Sequence, residues 1–151
     1  MRIWVDADGC PEPIKEIVIR AALRVQSPVS FVANRAVRFA PDPLLTMVVV
    51  SRGPDVADAY IVDNVGPGDV VVTSDVPLSA LVVPKGAVVI NAKGEVLDQK
   101  NIGEKSAMRD LLHGLRSTGQ ITGGGPGTFD NKMRQQFANA LDRHLARHDR
   151  A

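Results

Sequence analysis

An Asp-x-Asp pair, Asp6 and Asp8, follows directly on the apolar run Ile3-Trp4-Val5, and Gly9-Cys10-Pro11 closes the stretch. Ionised groups are costly to bury without partners, so two carboxylates at the end of a buried strand invite a functional reading. In open parallel α/β sheets, ligands bind at the carboxyl ends of the strands, near the switch point. Further acids recur in the same kind of place. Asp55 and Asp58 open the segment after the third apolar run, and Asp75 follows Val70-Val71-Val72 and Thr73-Ser74. Carboxylates converging on one rim cannot all ionise easily unless a cation sits among them. Hard oxygen ligands favour Mg²⁺ or Mn²⁺ over zinc. Paired ions of this kind, roughly 4 Å apart, hydrolyse phosphodiesters by activating water and stabilising the leaving oxygen. A bland role competes for several of these acids. Asp8 suits an N-cap or an Asx turn with Gly9, Asp55 reads first as an N-cap, and Asp75 before Val76-Pro77 could cap too. Asp6, directly after the strand, favours function.

Strand and helix patterns alternate around these acids. Ile14, Ile17, Val18, Ala21, Ala22 and Val25 have helical spacing over 11–25. Runs at 29–33, 44–50, 69–73 and 87–91 read as strands, and 95–97 as a short edge segment after a Lys93-Gly94 turn. Residues 34–43, with two prolines, read as a loop. Short helices are predicted over 55–65 and from 76 to about 83, and longer ones over 104–115 and 130–148. The first long helix places Ala107, Met108, Leu111, Leu112 and Leu115 on one face. The second places Met133, Phe137, Leu141 and Leu145 there. Apolar strands alternating with helices predict one α/β/α sandwich over residues 1–151, with a mainly parallel sheet of about five strands. Right-handed crossovers then bring the ends of strands one, three and four to one rim.

Charge is unevenly spread. Residues 1–99 carry 9 Lys/Arg against 12 Asp/Glu, a balance of −3, and residues 100–151 carry 9 against 5, a balance of +4. A basic last third beside an acidic rim suits an anionic substrate held over metal ions. One cysteine excludes an internal disulfide and fits a reducing cytoplasm. No signal-peptide pattern precedes Asp6, and no apolar stretch approaches the ~20 residues of a membrane span.

Several segments together carry a family resemblance: 3–11, Val32-Ala33-Asn34, Asp55-Val56-Ala57-Asp58, 68–78, Met108-Arg109-Asp110 and Gly124-Gly125-Pro126. The sequence resembles the YaiI/YqxD family of small, uncharacterised bacterial proteins, placed with the PIN-like and NYN nucleases. Asp-Ala-Asp-x-Cys-Pro is the most specific part. The resemblance implies a PIN-like α/β/α domain with a Mg²⁺ or Mn²⁺ site. Asp6 matches the strand-one acid, Asp58 the helix acid and Asp75 the strand-four acid, with Asp8 and Asp55 as helpers. Arg109, Asn34, Thr73 and Ser74 are the candidate substrate contacts, and RNA is the expected substrate. Two departures stand out. Gly9 replaces a commoner Ala, and the glycine run before Pro126 is one residue longer than usual. Neither touches an acid.

Rival readings come from other classes. A haloacid-dehalogenase-type phosphatase also ends an apolar strand in Asp-x-Asp, with the first Asp as nucleophile. That family expects Thr or Val where this chain has Cys10. A non-catalytic module binding RNA or a partner would keep the scaffold without turnover. Cys10 at a helix start could be a lowered-pKa thiol, but no His is near in sequence, and a small packed residue is the simpler reading. His144 and His148 have ligand spacing without a third partner. The glycine run 123–127 lacks the Gly-Lys-Ser/Thr ending of a phosphate loop and reads as a connector. Six aromatics, mostly at core-like positions, give little support to a base-stacking platform.

Overall fold

Valine-rich runs form most of the strands in the computed structural model, which describes residues 1–117 and 129–149. They are β1 (Ile3–Asp6), β2 (Val29–Ala33), β3 (Leu45–Val49), β4 (Val70–Val72), β5 (Val88–Ile90) and β6 (Val96–Leu97). The helices are α1 (Glu12–Val25), α2 (Val56–Asn64), α3 (Val76–Val82), α4 (Ile102–Ser117) and α5 (Asn131–Asp149). One sheet holds the strands in the order β3-β2-β1-β4-β5-β6. The first five are parallel, and β6 pairs antiparallel with β5. Branched side chains suit this setting because strands covered on both faces read as continuous apolar runs.

Alternate strand residues feed two cores. Ile3, Val5, Val29, Phe31, Val70 and Val72 pack under α1 and α5 on one face. Trp4, Val32, Val71 and Val89 pack under α2 and α3 on the other. The result is a three-layer α/β/α architecture, as the alternation predicts. Among the described residues, no helix is long and apolar enough to cross a membrane.

Topology positions the site. The chain steps outward from β1 to β2 and β3, then crosses back through α2 to β4 on the other side of β1. The switch point therefore lies between β1 and β4, which run in register from Ile3↔Val70 to Val5↔Val72. At the opposite end of this pair, Asp69 accepts from Arg2 N at 3.0 Å, Trp4 Nε1 at 3.0 Å and Gly66 N at 2.9 Å. This acid ties the start of β1 to the start of β4 and is structural.

One helix differs from its sequence expectation. The α4 pattern suggests a covered apolar face, yet Met108 is 51% and Leu111 56% exposed. The reason is position: α4 packs mainly on α3, outside the layer that covers the sheet. In α5, by contrast, Phe137, Leu141 and Leu145 are buried against the sheet. Asp130 caps that helix, its Oδ1 accepting from Met133 N at 2.9 Å.

Candidate functional site

Asp6 is the last residue of β1, and Thr73 follows the last residue of β4. Parallel pairing brings them side by side at the carboxyl rim. Thr73 is 1% exposed. Its hydroxyl donates to Asp6 Oδ2 at 2.9 Å and accepts from Asp75 N at 3.1 Å. Asp75 then starts α3 as an N-cap, with Oδ1 accepting from Leu78 N at 3.0 Å. The capping role and the rim position coexist, since the cap takes one of the two carboxylate oxygens.

Asp58 arrives from the first turn of α2. Its pKa is pushed up from 3.8 to about 6, first by burial, then by the charges of Asp75, Asp6 and Asp55, with a hydrogen bond to Asp75 favouring the protonated form. Asp6 is also raised by burial, opposed by the Thr73 hydrogen bond, and raised further by Asp75 and Asp8. Among the described residues, no basic side chain contributes to either shift. The folded chain thus brings Asp6, Asp58 and Asp75 within electrostatic reach of one another. Among the described residues, however, no group of three or more His, Cys, Asp or Glu side chains gathers as a metal-holding cluster. The oxygen donors are of the kind a hard divalent ion takes, and Mg²⁺ typically uses only one or two carboxylates and keeps its waters.

The other expected residues sort differently. Asp8 is exposed and neither caps α1 nor closes an Asx turn; its Oδ2 accepts from Asn34 N at 2.9 Å, tying the rim to the end of β2. Asp55 stands at the N-cap position of α2 without a side-chain cap bond, which corrects its expected role. It is left-handed, with φ 64°, a conformation that Asp tolerates better than most residues. Its charge reaches Asp58 instead. The Thr73 hydroxyl, expected as a substrate contact, is buried and engaged on both sides, by Asp6 Oδ2 and Asp75 N. Ser74 is exposed, and its Oγ accepts from Ala92 N at 3.3 Å. Arg109 is exposed on α4 and pairs with Asp110 at 3.5 Å. No hydrogen bond or ion pair among the described residues joins it to the rim acids.

Cys10 is packed rather than reactive. Burial first, then the charge of Asp6, pushes its thiol up to about 12, and Sγ lies 3.8 Å from Val72 O. A Cβ added at Gly9 would meet Asp6 Oδ2 at 3.6 Å, an ordinary contact, so an Ala fits this turn. The glycine run 123–127 and the side chain of His148 lie outside the described residues. Sequence reasoning missed the Thr73 bridge and the left-handed Asp55. The Thr-Ser-Asp spacing at 73–75 carries a trace of the first, and nothing in the sequence marks the second.

The model of the family described as "Uncharacterized BCR, YaiI/YqxD family" matches residues 4–147. The chain belongs to the YaiI/YqxD family. The match takes in every rim acid. Among the family's relatives, a UPF0178 protein of Geobacter sulfurreducens is 50% identical over 147 residues, covering 97% of each chain. One of Bordetella petrii is 49% identical over 151 residues, the whole of both chains. One of Hahella chejuensis is 48% identical over 147 residues, 97% of each. No solved structure matches this YaiI/YqxD chain.

Proposed function

We propose that this protein is a Mg²⁺- or Mn²⁺-dependent hydrolase of phosphodiesters in RNA, acting in the cytoplasm, with a PIN-like domain. The carrying observation is the convergence of Asp6, Asp58 and Asp75 at the β1–β4 switch point, with no basic side chain among the described residues contributing to the raised pKa of Asp6 or Asp58. A divalent ion is the group that relieves repulsion among such acids. Asp6 and Asp75 would hold it, each with one oxygen already fixed, by Thr73 and by Leu78 N respectively. When bound, the ion supplies Lewis-acid activation of water and charge for the leaving oxygen. Asp58, in the first turn of α2 beside Asp75, would hold the ion with Asp6 and Asp75 or orient the attacking water. The basic last third, Arg109 included, would steady the anionic substrate. A single free cysteine suits a reducing cytoplasm.

The phosphatase alternative fares worse. The Thr73 hydroxyl, which that reading would turn toward a phosphate, is committed to Asp6.

The test is hydrolysis of single-stranded RNA, single-stranded DNA and a phosphomonoester with Mn²⁺. It uses wild type, Asp6→Asn and Asp75→Asn. Cleavage of RNA by wild type alone, abolished by chelation, supports the reading. Cleavage persisting in both variants marks a contaminating nuclease. Monoester turnover with a trapped phospho-Asp6 establishes the phosphatase. RNA binding without cleavage establishes a non-catalytic module.

A further inference from the structure

Helix α1 and the segment 34–43 enclose an open groove of about 310 Å³, within the size range of small-ligand sites. Both walls start at the acid rim. Helix α1 begins just past Asp6–Cys10 and runs away from the rim, and the segment leaves the end of β2 there and descends toward the start of β3.

The lining combines an apolar wall with two uncommitted cations. Ile19, Val37 and Phe39 provide the apolar surface. The Phe39 ring is backed by buried Phe31 at 5.1 Å between centroids. Arg20 and Arg38 also line the groove and are exposed. No acid pairs with either among the described residues. The two acids present are already matched: Glu12 pairs with Lys15 at 3.0 Å, and Glu16 with Arg134 at 3.7 Å. The helix from residue 12 to residue 20 extends about 12 Å from the rim, so a chain lying across the acids reaches the arginines.

We propose that this groove holds a flanking nucleotide of a single-stranded RNA, with a phosphate on Arg20 and Arg38 and a base against Phe39, Ile19 and Val37. The inference rests on the nuclease reading and names how its substrate is held. Guanidinium groups match phosphate oxygens in bidentate geometry. An aromatic wall accepts any base face, so recognition is tolerant of sequence.

The experiment is anisotropy of a labelled oligouridylate in EDTA, where metal-dependent cleavage is absent, over a range of salt. The proteins are wild type, the Arg20→Gln/Arg38→Gln double variant and Phe39→Leu, each checked for fold by circular dichroism. The double variant is expected to bind at least tenfold more weakly, with a salt slope shallower by about 0.7 for the one lost phosphate contact. Phe39→Leu is expected to weaken binding at an unchanged slope. Equal affinity and slope in wild type and double variant overturn the groove, as does absence of binding by wild type. The nuclease reading fails separately: RNA held in the groove but left intact when Mn²⁺ is restored removes the activity and keeps the binding site. Metal-dependent cleavage with unaltered binding by the variants removes the groove alone.

Discussion

Thr73 and Asp6 meet across adjacent parallel strands, the hydroxyl of one donating to the carboxylate of the other at 2.9 Å. The same hydroxyl accepts from Asp75 N, so one buried atom orients two rim acids. Thr73→Val keeps the shape and removes both bonds. Leaving buried partners unsatisfied costs about 1–3 kcal/mol. The expected result is a stability loss of that order, a further rise in the Asp6 pKa because its lowering influence is gone, and near-complete rescue by Thr73→Ser. Urea unfolding and carboxyl ¹³C NMR read these outcomes. An unchanged Asp6 titration would remove Thr73 from its positioning role.

The Asp58 carboxyl makes metal-free stability depend on pH. Its folded pKa of about 6 lies above the ordinary value of 3.8. Between these values the native chain binds more protons than the unfolded one, so stability falls as pH rises from about 4 to about 6. Asp6 is shifted in the same direction and contributes with the same sign. Asp58→Asn is expected to flatten this slope and to be more stable than wild type at pH 7. Urea midpoints in EDTA across the window decide it, and an equally steep slope in the variant contradicts the account.

Added divalent ion should reverse that cost. A ligand bound only by the folded state stabilises it by about 2.7 kcal/mol at a hundred times its Kd. Mn²⁺ is expected to raise the Tm of wild type and to leave Asp6→Asn unmoved. Equal shifts in the two proteins would take Asp6 out of the metal site.

Away from the rim, Gly94 turns the chain from β5 into β6 with φ +82°, and a Cβ there would lie 2.6 Å from the Gln136 backbone of α5. Asn91 builds the turn, its Oδ1 accepting from Lys93 N and Glu95 N, both at 3.0 Å. Gly94→Ala adds left-handed strain and a backbone clash together, so a loss of about 2–3 kcal/mol is expected. A lowered urea midpoint with an unchanged m-value would show it.

How much of this was legible beforehand follows from the range of the interactions involved. The strands, α1, α5 and the β5–β6 turn rest on periodicity and turn chemistry that neighbouring residues carry, and the sequence alone determined them. The acids at strand ends were legible for the same reason, because each follows its own apolar run. Which acids meet was decided by strand order. Asp6 and Thr73 lie 67 residues apart, and they touch only because the chain returns through α2 to set β4 beside β1. The approach of Asp58 to Asp75, and the freedom of Asp55 from capping, depend on how α2 docks over that switch point. Met108 and Leu111 show the converse. Helical spacing identifies an apolar face, but only packing settles whether another layer covers it. The groove arises in the same way, since Arg20 and Phe39 acquire a common wall only when segment 34–43 folds back along α1. Local pattern specified the elements and their acids. Long-range packing decided which side chains share a low-dielectric rim, and it is that shared burial which perturbs their charges.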